Sequence, residues 1–315
     1  MQVVITGGAG FLGQRLAHKL LQNADVQSLT LADIVAPSGP ADNRVTLIQT
    51  DLTDPQAAKN LITPQTTVVY HLAAVVSGQA EANFDLGMAV NCAGTQYLLE
   101  AVRHKAAGAM FVLASSLAVF GGELPAVISQ KTAVAPQSSY GTQKAVSELW
   151  VNDYSRKGFV DGRVLRLPTV CVRPGKPNAA ASSFASSIIR EPIKGEMAVC
   201  PVEPSLRLWL SSPNAVVDNL AHVNRLSADR FGATRTVNLP GITVSVADMI
   251  AALERVVGSK AVEKIRYEPD DAIAKIVESW PSEFAVDRAL ELGFIGDRTF
   301  DDIIKAFVQE QACIK

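Results

Sequence analysis

The chain has 315 residues, 48% of them hydrophobic and 19% charged, with a formal net charge of −2; it can bury a large core and offers no charged face to nucleic acid or an anionic membrane. No apolar run approaches the roughly 18 residues of a membrane span, and the start, Val3-Val4-Ile5-Thr6, carries no charged leader or cleavage site, so a soluble cytoplasmic protein is expected. Cys92, Cys171, Cys200 and Cys313 are widely spaced and form no cluster with His18, His71, His104 or His222, which predicts reduced thiols and no metal.

Residues 2–6 read as a buried strand, and residues 11–21 as a helix with apolar Leu12, Leu16, Leu20 and Leu21. Between them runs Thr6-Gly7-Gly8-Ala9-Gly10-Phe11-Leu12-Gly13, which fits both G-x-G-x-x-G and G-x-x-G-x-x-G. Glycines are needed where the backbone turns tightly, where a pyrophosphate approaches and where helix meets strand. The strand before and the helix after make this a dinucleotide loop, with cofactor contacts expected at Gly7, Gly10, Phe11, Leu12 and Gly13.

A second strand at 29–32 ends in Asp33, twenty residues past Gly13. A carboxylate there accepts hydrogen bonds from a ribose hydroxyl and repels a 2′-phosphate, so NAD is expected rather than NADP. A third strand at 45–49 leads to Asp51-Leu52, placed to face the adenine, and Asp54-Pro55 opens a short helix as N-cap and first residue. The fourth strand, 67–71, ends in His71-Leu72-Ala73-Ala74, where small alanines let the cofactor lie against the backbone; His71 reads as a core residue. Residues 80–107 read mostly as helix.

The fifth strand, 110–114, runs into Ser115-Ser116, and a long helix over 138–157 carries Tyr140 and Lys144 near its start. A strand at 163–167 is halted by Pro168. Beyond it the rhythm changes: 173–178 is turn chemistry, 179–187 is rich in small residues and reads as close-packed backbone, and 236–239 is a late strand. Residues 245–257 read as a capped amphipathic helix and 300–311 as a terminal one. Alternating strands and helices predict an α/β fold with a Rossmann-type doubly wound parallel sheet over residues 1–167. Residues 168–315 would form mainly a smaller substrate-binding lobe, with part of 205–240 returning to the first.

Tyr140 and Lys144 stand at i and i+4 on one helix face, with Cβ atoms roughly 5–6 Å apart. A free phenol has a pKa of about 10, and lowering it by about 3 units takes about 4 kcal/mol. A desolvated lysine plus the positive charge of an oxidised nicotinamide can supply that. With Ser116 twenty-four residues upstream, the pattern is a hydride-transfer site. Tyr140 is the general base, Lys144 lowers its pKa, and Ser116, with Ser115 as the alternative, holds the reacting oxygen.

Together, 6–13, Asp51-Leu52, 71–74, Val90-Asn91-Cys92-Ala93-Gly94-Thr95, 115–121 and 140–144 resemble the extended short-chain dehydrogenase/reductase family, that of NAD-dependent nucleotide-sugar epimerases and dehydratases. The resemblance implies further cofactor contacts at Asn91 and Pro168. It also implies a homodimer paired through helices 88–107 and 138–157. One departure is Phe120, where that family usually carries a tyrosine before glycine. A narrower resemblance, over 71–81, 136–144 and 166–184, is to NAD-dependent dehydrogenases that oxidise the C2 hydroxyl of four-carbon sugar acids in sugar-acid catabolism.

Such a substrate needs an anion partner and short polar groups. Ser77, Gly78 and Gln79 follow the fourth strand, and Asn178, Ser182, Ser183, Arg173, Arg207 and Trp209 are further candidates, an arginine being able to clamp a carboxylate. Two other readings compete: a nucleotide-sugar epimerase or dehydratase that keeps its NAD bound, and a non-catalytic NAD-binding protein. The full set of Ser116, Tyr140 and Lys144 argues against the last, since a binding module needs no general base.

Overall fold

Val3, Val4, Ile5 and Thr6 are all buried, as a strand covered on both faces requires, and in the computed structural model, which describes residues 1–313, they form the centre of a sheet. The first six strands are β1 (Gln2–Thr6), β2 (Ser28–Asp33), β3 (Val45–Gln49), β4 (Val68–His71), β5 (Met110–Ser116) and β6 (Asp161–Leu167). Six shorter ones follow: β7 (Thr169–Val170), β8 (Ala198–Cys200), β9 (Arg207–Ser211), β10 (Thr236–Asn238), β11 (Ile242–Ser245) and β12 (Ile265–Tyr267). Seven make one sheet in the order β10-β6-β5-β4-β1-β2-β3, every pairing parallel. The strand order reverses between β1 and β4, where Thr6 pairs with His71. Such a switch point opens a crevice at the strands' carboxyl ends.

Both faces are covered. The helix Phe11–Leu21 buries Gly13, Leu16, Ala17 and Leu20 and shares a core with the helix Pro213–His222 through Val216 and Leu220. On the other face, Leu98, Leu99 and Val102 of Thr95–Lys105 join Val151 of Ser139–Arg156. Asp54 caps the helix Pro55–Leu61 by accepting from the Gln56 amide at 2.8 Å.

The span 80–107, read mostly as helix, is helical in several pieces. Helical turns at Ser77–Ala82 and Phe84–Gly87 lead into a π-helical stretch, Met88–Gly94, before the helix Thr95–Lys105. Asn83 interrupts the run by capping the second turn through the Leu86 amide. The widened turn holds Asn91, whose side chain is claimed by groups outside the helix, described below.

After β6 the chain builds a second core around Phe184, Ile188, Leu210, Met249, Leu253 and Ile304. Strands β11, β9 and β7 form a three-stranded sheet and β8 pairs with β12. Residues 179–187, read from their small side chains as packed backbone, contain the start of the helix Ser183–Ile193. The helix Val246–Val257 is fixed by a capping box between Ser245 and Asp248. No helix among the described residues is long and apolar enough to cross a membrane.

Candidate active site

The loop after β1 is built on close approach. Gly7 has φ +74, and a Cβ there would stand 2.7 Å from the Ala73 amide nitrogen, while a Cβ on Gly13 would stand 2.3 Å from the Gly7 carbonyl oxygen. No larger residue fits either place without moving backbone. The helix that follows starts at Gly10 with no side-chain cap and no acidic residue in its first turn, so its leading amides are free for an anion.

This loop is one wall of a cavity of about 600 Å³ that reaches from Asp33, Asp51 and Leu52 past Leu72, Ala73 and Ala74 to Ser116, Tyr140 and Lys144. Asp33, at the end of β2, accepts from the Ala9 amide at 3.0 Å and the Val35 amide at 3.2 Å. Its carboxylate is thereby fixed at the mouth of the glycine loop. A bare helix start, a glycine cradle and a carboxylate at the second strand's end together fit an adenine dinucleotide lying across the sheet's edge. Phe11, Leu12 and Pro168 also line this space.

At its inner end, β5 delivers Ser116 and the helix Ser139–Arg156 delivers Tyr140 and Lys144. Ser138 caps that helix by accepting from the Gly141 amide at 3.2 Å. Gly141 fits against β5's continuation so closely that a Cβ would stand 2.1 Å from the Ala118 carbonyl oxygen. Lys144 is 4% exposed; its ammonium donates to the Ala114 carbonyl at 2.9 Å and lies 5.8 Å from the Tyr140 ring centroid. Burial pulls the Lys144 pKa down to about 8, opposed by the charge of Glu148.

Tyr140 departs from the sequence expectation. Burial pushes its hydroxyl up to about 12, and the groups that oppose this are a hydrogen bond from Ser116 and the charge of Arg173. Desolvation therefore outweighs the hydrogen bond and the one opposing charge. Of the two serines, Ser115 donates to Glu148 and is buried, which leaves Ser116 as the hydroxyl turned to the cavity beside Tyr140.

Behind these groups lies a polar layer that the sequence did not disclose. Glu148, buried, accepts from Arg166 Nε at 2.9 Å and a terminal guanidinium nitrogen at 2.6 Å, besides Ser115. Arg166 also lies 4.7 Å over the Phe120 ring, so the residue that replaces the family's tyrosine is a fully buried platform. Glu148 stands four residues past Lys144 on the same helix, the one signal that could have revealed it. His71 is 1% exposed and shares hydrogen bonds with Thr6 Oγ1 at 2.7 Å and Thr95 Oγ1 at 2.8 Å. Burial, aided by Lys144, lowers its pKa to about 3, so it is a neutral link between β1 and β4.

Several expected contacts stand elsewhere. Asn91 does not line the cavity; its amide bonds the Val75 amide and carbonyl at 2.8 and 3.0 Å and the Gln143 side chain at 2.7 Å. It shapes the wall after β4 from behind. Gly78 is also behind the wall, with Ala179 carbonyl oxygen 2.4 Å from where its Cβ would be. Arg207 does not line the cavity; its side chain is 54% exposed and paired with Glu283. Trp209 is stacked on Phe284 at 5.0 Å. Ser77, Gln79, Arg173, Asn178, Ser182 and Ser183 do line the cavity, Ser77 accepting from the Ala181 amide at 3.0 Å.

A family model described as the NAD dependent epimerase/dehydratase family matches residues 3–212. The chain is 51% identical to D-erythronate dehydrogenase of Cupriavidus necator, over 100% of both chains, and 51% identical to D-erythronate dehydrogenase of Haemophilus influenzae, over 98% of this chain and 99% of that one. A solved structure described as a nucleoside-diphosphate-sugar epimerase from Agrobacterium tumefaciens superposes with a TM-score of 0.93 at 41% identity, covering 99% of this chain and 94% of that one. L-threonine 3-dehydrogenase from Trypanosoma brucei follows the same fold at a TM-score of 0.88 and 24% identity, over 98% and 96%. On the family match over two thirds of its length, with relatives similar from end to end, the chain belongs to the NAD dependent epimerase/dehydratase family, and NAD is its cofactor.

Proposed function

We propose that this protein is an NAD-dependent sugar-acid dehydrogenase that oxidises the C2 hydroxyl of D-erythronate to 2-dehydro-D-erythronate. The observation that carries the reading is full-length identity of 51% to two enzymes of that name, including the half of the chain beyond β6. The presence of Ser116, Tyr140 and Lys144 in one cavity with the glycine loop supports the chemistry. When bound, NAD supplies the hydride acceptor and a positive charge in its oxidised ring.

Tyr140 takes the proton from the substrate hydroxyl as the carbon gives up its hydride, leaving a ketone. Ser116 holds that oxygen by a hydrogen bond. Lys144, fixed on the Ala114 carbonyl, would favour the phenolate by its charge and donate to the nicotinamide ribose of bound NAD. Residues 1–167 would carry the cofactor and 168–315 mainly the substrate. We also infer a homodimer through helices 88–107 and 138–157, supported by the exposed apolar side chains of Met88 and Leu149 on them.

The name carried by the Agrobacterium structure favours a second reading, a nucleotide-sugar epimerase that returns its hydride. Purified protein given NAD and D-erythronate should build up free NADH, read by its near-ultraviolet absorbance. No NADH with any aldonate, and interconversion of a nucleotide sugar instead, would replace the first reading by the second.

A further inference from the structure

Among the described residues lining the cavity, four side chains are cationic: Lys144, Arg173, Lys176 and Arg190. Lys144 is engaged by Ala114 and stands near Glu148. Arg190 is buried and paired with Glu191 at 2.6 Å, and Lys176 is exposed to water. Arg173 differs from all three. It is half-buried at the cavity wall, and among the described residues no carboxylate pairs with it. Its neighbours are the Phe11 ring, 5.9 Å from Cζ, and Tyr140, which favours the charged guanidinium while Arg173 favours the charged phenol.

The backbone of this residue is fixed on both sides. Its amide donates to Ser186 Oγ at 3.0 Å, and its carbonyl accepts from Arg190 at 2.7 Å. Partial desolvation and the like charge of Arg190 both lower the Arg173 pKa, and no carboxylate beside it offsets them. Carboxylates that do line the cavity, Asp33 and Asp51, belong to its other end and are occupied by backbone amides and Thr53. A half-buried guanidinium on a fixed backbone, beside the general base and with no carboxylate partner, is a place for an anion that arrives with the substrate.

We propose that Arg173 is the carboxylate anchor of the substrate site, holding the acid group of the aldonate while its neighbouring hydroxyl lies against Tyr140 and Ser116. This rests on the sugar-acid reading above. Arg190 is a positioning residue, acting through the Arg173 backbone. A carboxylate next to the reacting carbon can satisfy both arms at once, because the acid and the C2 hydroxyl of an aldonate are adjacent. A neutral polyol or amide would leave the guanidinium unpaired, so the site would select acids. The dinucleotide's pyrophosphate has its own donors in the glycine loop and the uncapped helix start.

The test compares D-erythronate with its neutral amide, D-erythronamide, in the full-length wild type and in Arg173→Gln and Arg173→Lys, alongside NADH affinity by fluorescence titration. Arg173→Gln should raise KM for the acid about 10- to 100-fold, leave kcat/KM for the amide within about threefold, and leave NADH affinity unchanged. Arg173→Lys should recover part of the acid preference, and it serves alone if the glutamine variant melts early. An unchanged ratio of acid to amide overturns the inference with the dehydrogenase reading intact, as does loss of NADH affinity by the same factor, which would assign Arg173 to the pyrophosphate. A wild type that oxidises no aldonate removes the reading and this inference with it.

Discussion

Lys144 donates its 2.9 Å hydrogen bond to the main-chain carbonyl of Ala114, two residues before Ser116 on β5. One contact thus sets the register between the helix that bears Tyr140 and the strand that bears the serine. It also ties up one of the ammonium's three protons. Lys144 still lines the cavity, and Glu148 one turn along the helix helps the buried amine keep its charge.

Replacing Tyr140 by Phe removes the hydroxyl and little else, because the ring is already packed. Turnover should fall by about 10²–10⁴ with NADH binding nearly intact. Steady-state rates and a fluorescence titration on the same preparation check this. Turnover within a few-fold of wild type would move the proton transfer to another group.

Asp33→Ala removes both the carboxylate proposed to accept from the ribose and the bond that holds the Ala9 amide. NAD affinity should fall about tenfold, and the preference over NADP should narrow because the repulsion of a 2′-phosphate is gone. Titrating both coenzymes decides it; equal and undiminished affinities for the two would take Asp33 out of the site.

Glu148→Gln leaves Arg166 buried with no opposite charge. Removing one partner of such a pair costs about 3–5 kcal/mol, to be read from urea unfolding midpoints. A loss below about 1 kcal/mol would mean that Arg166 finds water or another acceptor, and that the layer behind Lys144 is not closed.

His71 gives the fold an acid limit. The unfolded chain takes up a proton on this residue near pH 6.5, the folded chain only near 3. Between those values the unfolded state binds more protons, so stability falls as pH falls, by about 1.4 kcal/mol per pH unit, and above 6.5 the residue contributes no slope. His71→Gln should flatten that limb between pH 6.5 and 4 in denaturant titrations. Parallel slopes for variant and wild type would show that other groups set it.

What could be read in advance was whatever a short stretch of chain determines by itself. Apolar β-rich runs announced β1 to β6, buried except at the edge strand β3, and the glycine loop and the Tyr140–Lys144 spacing are local geometry. Arg207 was misjudged because its partner Glu283 lies 76 residues away. Asn91 looked like a cofactor ligand until Val75 and Gln143, brought from two other elements, were seen to use up its amide. The raised Tyr140 pKa was hidden for the same reason: spacing gives the distance to a lysine but not how much water the fold removes.

The pairing of β10 with β6 has a bearing on how the molecule is made. While a ribosome is still extending the chain, β6 waits with one row of backbone groups unclaimed, next to the strand that carries Ser115 and Ser116. That row is satisfied only when residues 236–238 emerge, well after every group assigned to proton transfer has been synthesised. A nascent chain halted before that point would carry the whole set of reacting side chains on a sheet with an open, sticky border.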